Sequence, residues 1–435
     1  MQNLQNSAAL YERAKASMPG GNTRTTVYME PHPIYAERGD GCRMWDVDGN
    51  VYIDCINNFT SMIHGYNHAE TNAAVVSQLP KGTAFGAPTL SEVELAELLV
   101  GRLPSADQIR FANSGTEAVM MGIKAARAFT NRPKIVKIEG AYHGTYDYSE
   151  VSLDSGPANW GQDPASTAYA RGTPTGVLND VIVVPFNDIE AIKAAFAAHG
   201  EEIAGVLIDP MPNRAGLIPA RKEYLEGLVD VAHAAGALVI FDEVISFRLS
   251  YRGAQGLWGV KPDITVLGKI IGGGYPVGAI AGRADVMAVF DPTKGKPALP
   301  HGGTFTANPI TMVAGIATMS ALTEESFVHL ERLGDTIRNG VNTALEEKEI
   351  TGSCVGLGSL FKIHFTGNPV TDYRSVYPGP EERRKLEVFH KSLLTRGILA
   401  ASYGLFALST PMTDTDACEI LDALKGALSD VVAQG

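Results

Sequence analysis

The chain has 435 residues, of which 45% are hydrophobic and 19% are charged, a balance typical of folded rather than disordered proteins. Its net charge is −12, and no run of Lys and Arg supplies the basic surface that nucleic-acid binding requires. The apolar stretches are too short to span a bilayer, and the first residues lack the apolar core of a secretory signal. We therefore expect a cytoplasmic protein that binds neither nucleic acid nor membrane.

The four cysteines, Cys42, Cys55, Cys354 and Cys418, lie far apart in the sequence. None of them belongs to a Cys-x-x-Cys motif, and no spacing of cysteine and histidine resembles a zinc site. Four cysteines in a chain of this length do not make a disulfide scaffold. The sequence therefore predicts reduced thiols and no bound metal.

The N-terminal part of the chain predicts a short helix followed by antiparallel strands. An amphipathic pattern over residues 8–18 indicates the helix, and the sequence Pro-Gly-Gly-Asn at 19–22 ends it. Turn sequences at 39–41 and 48–50 then separate three short strands. We expect these strands at residues 34–37, 43–46 and 51–53.

From about residue 90 the pattern changes to an alternation of helices and short apolar strands. Ser91 and Glu94 predict a capping box at the start of a helix over residues 92–102. Strands are expected at residues 109–112, 134–139, 181–185, 205–208, 237–241 and 264–267. Further helices are expected at residues 116–129, 188–198, 222–235, 309–322 and 327–348.

This order of elements predicts an α/β protein with a mostly parallel sheet that is covered on both faces. We expect a large α/β domain over residues 59–310 and a smaller α+β domain over residues 311–435. An N-terminal segment, residues 1–58, is expected to pack with the smaller domain.

The first chemical signal is the sequence Asn-Ser-Gly-Thr-Glu at residues 113–117, between a predicted strand and an amphipathic helix. Backbone N–H groups at a helix N-terminus bind anions, and the helix dipole favours negative charge there. Gly115 allows a ligand to approach the backbone, and the hydroxyls of Ser114 and Thr116 are additional donors. An ordinary capped helix is the alternative interpretation of this motif.

Two charged side chains follow other predicted strands. Asp242 comes at the end of an apolar strand, where an unpaired carboxylate is costly; it would hold a metal, a ribose hydroxyl or a protonated heterocyclic nitrogen. Lys269 lies between an apolar strand and the glycines at 272–274, where loss of water would make it a nucleophile toward aldehydes. Alternatively, Lys269 extends from a strand end into solvent.

Together, these groups occur in an order that resembles a known family. The sequence is similar to the class III, or ω-type, aminotransferases, which are fold type I enzymes dependent on pyridoxal 5′-phosphate. The similarity covers nearly the whole chain and is closest to the branch of glutamate-1-semialdehyde aminomutase and the β-amino-acid aminotransferases. It depends on the segments at residues 19–24, 46–49, 113–117, 139–144, 241–244, 268–274 and 303–309.

The resemblance implies a role for each of these groups. Lys269 would bind the cofactor covalently and move a proton between Cα and C4′, and Asp242 would pair with the pyridinium nitrogen. Ser114, Gly115 and Thr116 would hold the phosphate.

The same resemblance implies that Tyr142 stacks on the cofactor ring and that Val244 packs against the opposite face. His143 would either contact the cofactor or support the site. Thr304 would reach the phosphate of the neighbouring subunit, which implies a homodimer with shared active sites. Arg24 would bind the substrate carboxylate through its guanidinium fork, although a solvated loop arginine is the alternative.

Some segments depart from the family pattern. The family has Glu-Pro followed by a polar residue near the cofactor hydroxyl, whereas this chain has Asp209 and Pro212, and Asn213 would have to contact that hydroxyl instead. Residues 401–405 contain neither the arginine of the β-amino-acid enzymes nor the acidic residue of the aminomutase. Residues 154–178 resemble the mobile gate of the aminomutase, and a plain surface loop fits them equally well.

The leading hypothesis is an aminotransferase that moves an amino group from a carboxylate-bearing amino acid or an amine to a keto acid by a ping-pong mechanism. The alternative is an intramolecular aminomutase. A lyase or decarboxylase on the same scaffold and a non-catalytic binding protein are further readings. A nicotinamide enzyme is disfavoured, because no GxGxxG motif opens the first βα unit.

Overall fold

The computed structural model describes residues 4–434 and contains three sheets within that range. In chain order the strands are β1 (Ala36–Asp40), β2 (Arg43–Asp46), β3 (Val51–Asp54), β4 (Gln108–Ala112), β5 (Lys134–Ile138), β6 (Val181–Val184), β7 (Ile203–Ile208), β8 (Leu238–Asp242), β9 (Ile264–Gly268), β10 (Gly278–Gly282), β11 (Ser353–Leu357), β12 (Leu360–His364), β13 (Ile398–Leu399) and β14 (Leu405–Ala407).

The large sheet has the strand order β4-β10-β9-β8-β7-β5-β6. All of its strands run in the same direction except β10, which is antiparallel to both β4 and β9. Strands β7, β8 and β9 are buried along their whole length, which explains their nearly continuous apolar sequences. Because β4, β5, β7, β8 and β9 are parallel, the segments that follow them meet at one edge of the sheet.

Two smaller sheets flank the large one. Strand β13 pairs in parallel with β3, so strands from the two ends of the chain form one sheet in the order β1-β2-β3-β13. The third sheet has the order β11-β12-β14. The two ends of the chain are also joined by the Asn57 side chain, whose Nδ2 donates to the Ala407 carbonyl at 2.6 Å.

Helices cover both faces of the large sheet and pack around the smaller ones. The longer helices are Gln5–Lys15, Ala69–Gln78, Leu90–Arg102, Gly115–Thr130, Ile189–His199, Lys222–Ala234, Pro309–Ala321, Glu324–Glu347, Pro380–Thr395 and Asp414–Ala433. Short helices are Asp147–Glu150, Thr175–Asn179, Gly253–Trp258 and Ala284–Met287. No helix between residues 4 and 434 is long and apolar enough to cross a membrane.

Several sequence-based boundaries need correction. The predicted capping box at Ser91 is wrong: the N-cap is Thr89, whose hydroxyl accepts from the Glu92 N–H at 3.4 Å, and Ser91 lies inside the helix. The first helix is Gln5–Lys15 and therefore ends before the expected residue 18. Strand β10 was not predicted, because its small Gly and Ala residues give no strand signal.

Candidate active site

A cavity of about 1300 Å³ opens at the edge of the large sheet where the parallel strands end. The sequence-predicted residues that line it are Arg24, Ser114, Gly115, Thr116, Tyr142, His143, Asp242, Val244 and Lys269. Thr304 does not line this cavity and lies on an exposed turn. The fold thus brings together side chains that are up to 245 residues apart in sequence, from position 24 to position 269.

One wall of the cavity is the N-terminus of helix Gly115–Thr130. Ser114 is the N-cap, and its hydroxyl accepts from the Glu117 N–H at 3.2 Å. The first N–H groups of a helix have no partner within the helix, so this end is suited to an anion. A Cβ on Gly115 would lie 3.0 Å from a methyl of Val244, so a larger residue here would force the Val244 side chain to shift.

Asp242 lies at the carboxyl end of β8, buried beside His143. Its Oδ2 is 2.7 Å from Nδ1 of His143, and its Oδ1 accepts from the Val244 N–H at 3.0 Å. The other ring nitrogen of His143, Nε2, is buried and has no hydrogen-bond partner among residues 4–434. The contact with His143 fixes the orientation of the Asp242 carboxyl group. An aspartate at a strand end without such a neighbour would be free to rotate.

A second carboxyl group, that of Asp209, follows the neighbouring strand β7. Burial, with the nearby Asp242 carboxylate, raises the pKa of Asp209 well above its ordinary value. Its Oδ1 accepts from the Met211 N–H at 2.9 Å. The raised pKa means that a second negative charge next to the carboxyl group of Asp242 is disfavoured.

Lys269 follows β9 directly and adopts a left-handed conformation with a φ of 53°. Its Nζ donates to the Phe59 carbonyl at 2.6 Å and to the Thr60 hydroxyl at 3.2 Å. Burial lowers the pKa of Lys269 to about 8, although Asp242 opposes this effect. Lys269 is therefore a desolvated amine inside the cavity and not a solvated strand-end lysine.

The acceptors of Lys269 belong to an unusual turn at residues 57–60, in which four successive non-glycine residues have positive φ angles. The values are 50° for Asn57, 47° for Asn58, 53° for Phe59 and 73° for Thr60. Each such residue costs roughly 1–2 kcal/mol, and asparagine tolerates the conformation best. The turn places the Phe59 carbonyl and the Thr60 hydroxyl toward the cavity.

Buried polar groups stabilise this turn from beneath. Asp54 Oδ1 accepts from the N–H groups of Ile56 and Asn57 at 2.8 Å and 2.9 Å. The fully buried Arg248 donates to the Thr60 carbonyl at 2.9 Å and to the Ser359 hydroxyl at 2.9 Å. Arg248 therefore supports the turn and does not face the cavity as a ligand group.

Arg24 lies at the mouth of the cavity, next to the same turn. Its guanidinium donates to Asn58 Oδ1 at 2.8 Å and lies 5.7 Å from the centre of the Phe59 ring. No acidic side chain within the described part of the chain forms an ion pair with Arg24, so its charge is available to an anionic ligand.

Residues 154–161 begin at the cavity wall with Asp154 and contact residues 373–377. Arg374 pairs with Glu139 at 2.7 Å and donates to the Gly161 carbonyl at 2.9 Å. The Tyr373 hydroxyl donates to the Ser155 carbonyl at 2.8 Å. In this structure the segment is therefore held in place by the C-terminal part of the chain.

Sequence reasoning missed several groups in the cavity wall. Phe59 and Thr60 contribute through backbone conformation, and the adjacent asparagines at 57 and 58 were the available signal for a left-handed turn. Lys362 and Tyr403 also line the cavity, but they come from the C-terminal sheet region, whose position relative to the large sheet no local pattern encodes.

Comparisons with known proteins agree with this geometry. The family model described as aminotransferase class-III matches residues 26–428. Glutamate-1-semialdehyde 2,1-aminomutase 2 of Bacillus licheniformis is 38% identical over 423 residues, which cover 96% of each chain.

Solved structures give the same result. An omega-transaminase from Sphaerobacter thermophilus is 48% identical, with a TM-score of 0.97 over 99% of this chain and all of that one. A beta-phenylalanine aminotransferase from Variovorax paradoxus is 35% identical, with a TM-score of 0.88 over 99% of this chain and 95% of that one. The chain belongs to the class III aminotransferase family, which has the fold type I architecture and uses pyridoxal 5′-phosphate.

The cavity fits this cofactor on its own chemistry. A helix N-terminus and two hydroxyls suit a phosphate, a buried carboxylate suits a protonated ring nitrogen, and a desolvated amine suits an aldehyde. His143, which contacts Asp242 through Nδ1, has a buried Nε2 without a hydrogen-bond partner among the described residues, so this nitrogen also remains open to a bound group.

Proposed function

We propose that this protein is a pyridoxal-phosphate-dependent aminotransferase that transfers an amino group from a carboxylate-bearing amino acid or an amine to a keto acid. One observation carries this proposal: Lys269, Asp242 and the N-terminus of helix Gly115–Thr130 converge on a single cavity. Each lies at the end of a different strand of the large sheet, so the convergence is a product of the fold.

In this proposal the chain's residues hold the cofactor on all sides. The backbone and hydroxyls of residues 114–116 bind the phosphate, and Asp242, oriented by His143, binds the ring nitrogen. Tyr142 and Val244 cover the two faces of the ring. When bound, the cofactor supplies a reactive carbonyl carbon and an electron-accepting ring.

Lys269 performs the covalent attachment and the proton transfer. As a neutral amine it is a nucleophile, and after release it is a base close to the reacting carbon. The Phe59 carbonyl and the Thr60 hydroxyl then act as a resting position for its Nζ, since both accept hydrogen bonds from it. Arg24, with its free charge at the cavity mouth, binds the substrate carboxylate.

An intramolecular aminomutase is the second candidate, because curated relatives at 36–39% identity carry that name. The aminotransferase is favoured by the 48% identity to an omega-transaminase and by Tyr403, which occupies the segment where an aminomutase is expected to carry an acidic residue.

Absorbance spectroscopy of the purified protein tests both candidates. We expect an amine to bleach the visible band of the bound cofactor and a keto acid to restore it. Return of the band without a keto acid, together with an isomerised product, would favour the aminomutase. A shift without bleaching would indicate a lyase, and no band after addition of the cofactor would contradict the whole assignment.

We also propose a homodimer in which Thr304 completes the site of the partner. Thr304 lies outside the cavity of its own chain, and Phe305 beside it is 63% exposed. Phe85, which precedes helix Leu90–Arg102, and Leu90, the first residue of that helix, are also exposed, and large exposed apolar groups are typical of interfaces.

Mixed dimers test this sharing. When Lys269→Ala and Thr304→Ala subunits are combined, a trans arrangement leaves one site with both residues intact. We expect that site to bind the cofactor with wild-type affinity, although each parent is impaired. A monomer in sedimentation analysis, or a mixed dimer as weak as the Thr304→Ala parent, would contradict the proposal.

A further inference from the structure

The cavity wall opposite the sheet contains a buried lysine, Lys362. It lies in strand β12 and alternates with Phe361 and Ile363, which are part of the main hydrophobic core. Since side chains in a strand alternate between faces, Lys362 points away from that core, and it lines the cavity. It is only 7% exposed.

Lys362 has too few acceptors for a buried ammonium group. Its Nζ donates to the Asn213 carbonyl at 2.9 Å and lies 5.4 Å from the centre of the Tyr403 ring. Within residues 4–434 no carboxylate forms an ion pair with Lys362. An ammonium group has three donors, and a buried charge without an opposite partner is costly.

The surroundings of Lys362 are basic. Burial and the positive charge of Arg214 together lower the pKa of Lys362 to about 7. Arg214 also lines the cavity, and it forms an ion pair at 3.0 Å with Asp154, which lines the cavity as well. Arg214 therefore adds positive potential without neutralising Lys362.

A second buried lysine shows what a purely structural arrangement looks like in this fold. Lys137 of β5 donates to three carbonyls, those of Ile138 at 3.2 Å, Ala141 at 3.2 Å and Val151 at 2.7 Å. All of its donors are used, and it does not line the cavity. Lys362, by contrast, keeps donors free at a surface that a ligand reaches.

We propose that Lys362, with Arg214 beside it, binds a second carboxylate of the substrate, so that a dicarboxylic keto acid is a preferred amino acceptor. This inference builds on the proposed aminotransferase function, in which Arg24 binds the first carboxylate. A carboxylate at Lys362 supplies the missing acceptors and the missing negative charge. A monocarboxylic acid leaves that position without a partner.

A comparison of acceptors tests the proposal. We expect Lys362→Met to lower the ratio of kcat/KM for 2-oxoglutarate over that for pyruvate by about tenfold or more, the effect of losing one charge-assisted hydrogen bond. Lys137→Met is the matched control, because it removes an equally buried lysine, and the ratio should stay at the wild-type value. An unchanged ratio in Lys362→Met would overturn the proposal and make Lys362 a tether for the Asn213 segment.

A binding measurement separates this inference from the proposed reaction. Calorimetry of the holoenzyme compares the affinity for glutarate, which has two carboxylates, with that for butyrate, which has one. Neither acid can undergo turnover. We expect glutarate to bind more tightly and Lys362→Met to abolish the difference, even if the enzyme proves to be an aminomutase. Equal binding of the two acids by the wild type would contradict the second site. Lys362→Gln repeats both measurements if the methionine variant does not fold.

Discussion

The Nζ of Lys269 lies 2.6 Å from the carbonyl oxygen of Phe59, a residue 210 positions earlier in the chain. This contact joins the end of a central strand to the left-handed turn at residues 57–60. It gives the buried amine an acceptor other than Asp242, whose carboxyl group contacts His143 instead.

The first prediction concerns the pH dependence of cofactor attachment to the cofactor-free protein. Because burial lowers the pKa of Lys269 to about 8, the reactive neutral amine disappears below that pH. We expect the attachment rate in stopped-flow absorbance to rise about tenfold per pH unit at low pH and to level off above about 8. Thr60→Val removes an acceptor of the ammonium and should move the midpoint lower. A midpoint near 10.5, the value of an exposed lysine, would refute the desolvation argument.

The second prediction concerns Lys269→Ala. We expect this variant to fold, to bind the cofactor without a covalent link and to lose multiple turnover, because the nucleophile and the proton carrier are removed together. The covalent link is measured by mass spectrometry after borohydride reduction. Lys261→Ala, at an exposed position, is the control and should keep both properties. Substantial turnover by Lys269→Ala would disprove the assigned role.

The third prediction concerns strain at Asn58. Asn58→Ala and Asn58→Gly both lose the hydrogen bond to Arg24, but only alanine pays for a φ of 47°. We expect the alanine variant to have a free energy of unfolding about 1 kcal/mol lower than the glycine variant, measured with denaturant. At exposed Thr343, inside helix Glu324–Glu347, the same pair of substitutions should show the opposite order. The same order at both positions would show that the turn is not strained.

The fourth prediction concerns His143→Phe. This change keeps a ring in place but removes the hydrogen bond to Asp242. We expect the cofactor to stay bound while the single-turnover rate falls about tenfold or more, since a hydrogen bond to a charged group is lost. His390→Phe, at a buried histidine that contacts the Ala400 carbonyl, should leave the rate intact. A normal rate in His143→Phe would limit its role to packing.

The fifth prediction concerns Arg24→Ala. We expect KM to rise about tenfold or more for substrates with a carboxylate, relative to amines of the same length without one. Arg13→Ala, at an exposed position in helix Gln5–Lys15, is the control. A similar rise in KM for both substrate classes would mean that Arg24 supports the turn at Asn58 and not the substrate.

The sequence predicts site residues well where a polar side chain comes directly at the end of an apolar strand. Asp242, Lys269 and Ser114 were found because apolar strands precede them, and parallel strands end at one edge of a sheet. The large sheet was predicted for the same reason. The antiparallel strand β10 was not, since its sequence Gly-Ala-Ile-Ala-Gly has neither bulk nor alternation.

The features that the sequence does not predict depend on contacts between residues far apart in the chain. The pair of His143 with Asp242 and the contact of Lys269 with Phe59 each depend on how separate elements pack, and short sequence windows do not encode packing. The cap at Thr89 was misplaced because Ser91 and Glu94 satisfy the same local rule two residues later. No local sequence pattern marks Lys362 as a cavity residue, because its position depends on how strand β12 packs against the large sheet.

On the ribosome, the turn that receives Lys269 lacks the part of its support that comes from Ala407 until synthesis has passed that residue. Strand β3 pairs with β13, Asn57 donates to the Ala407 carbonyl, and the Ala407 N–H donates back to Cys55 at 2.6 Å. A nascent chain that has already formed the large sheet therefore still lacks some of the contacts that hold the turn next to the Lys269 amine. We therefore expect a nascent chain to gain its full affinity for the cofactor only after residue 407 has been synthesised.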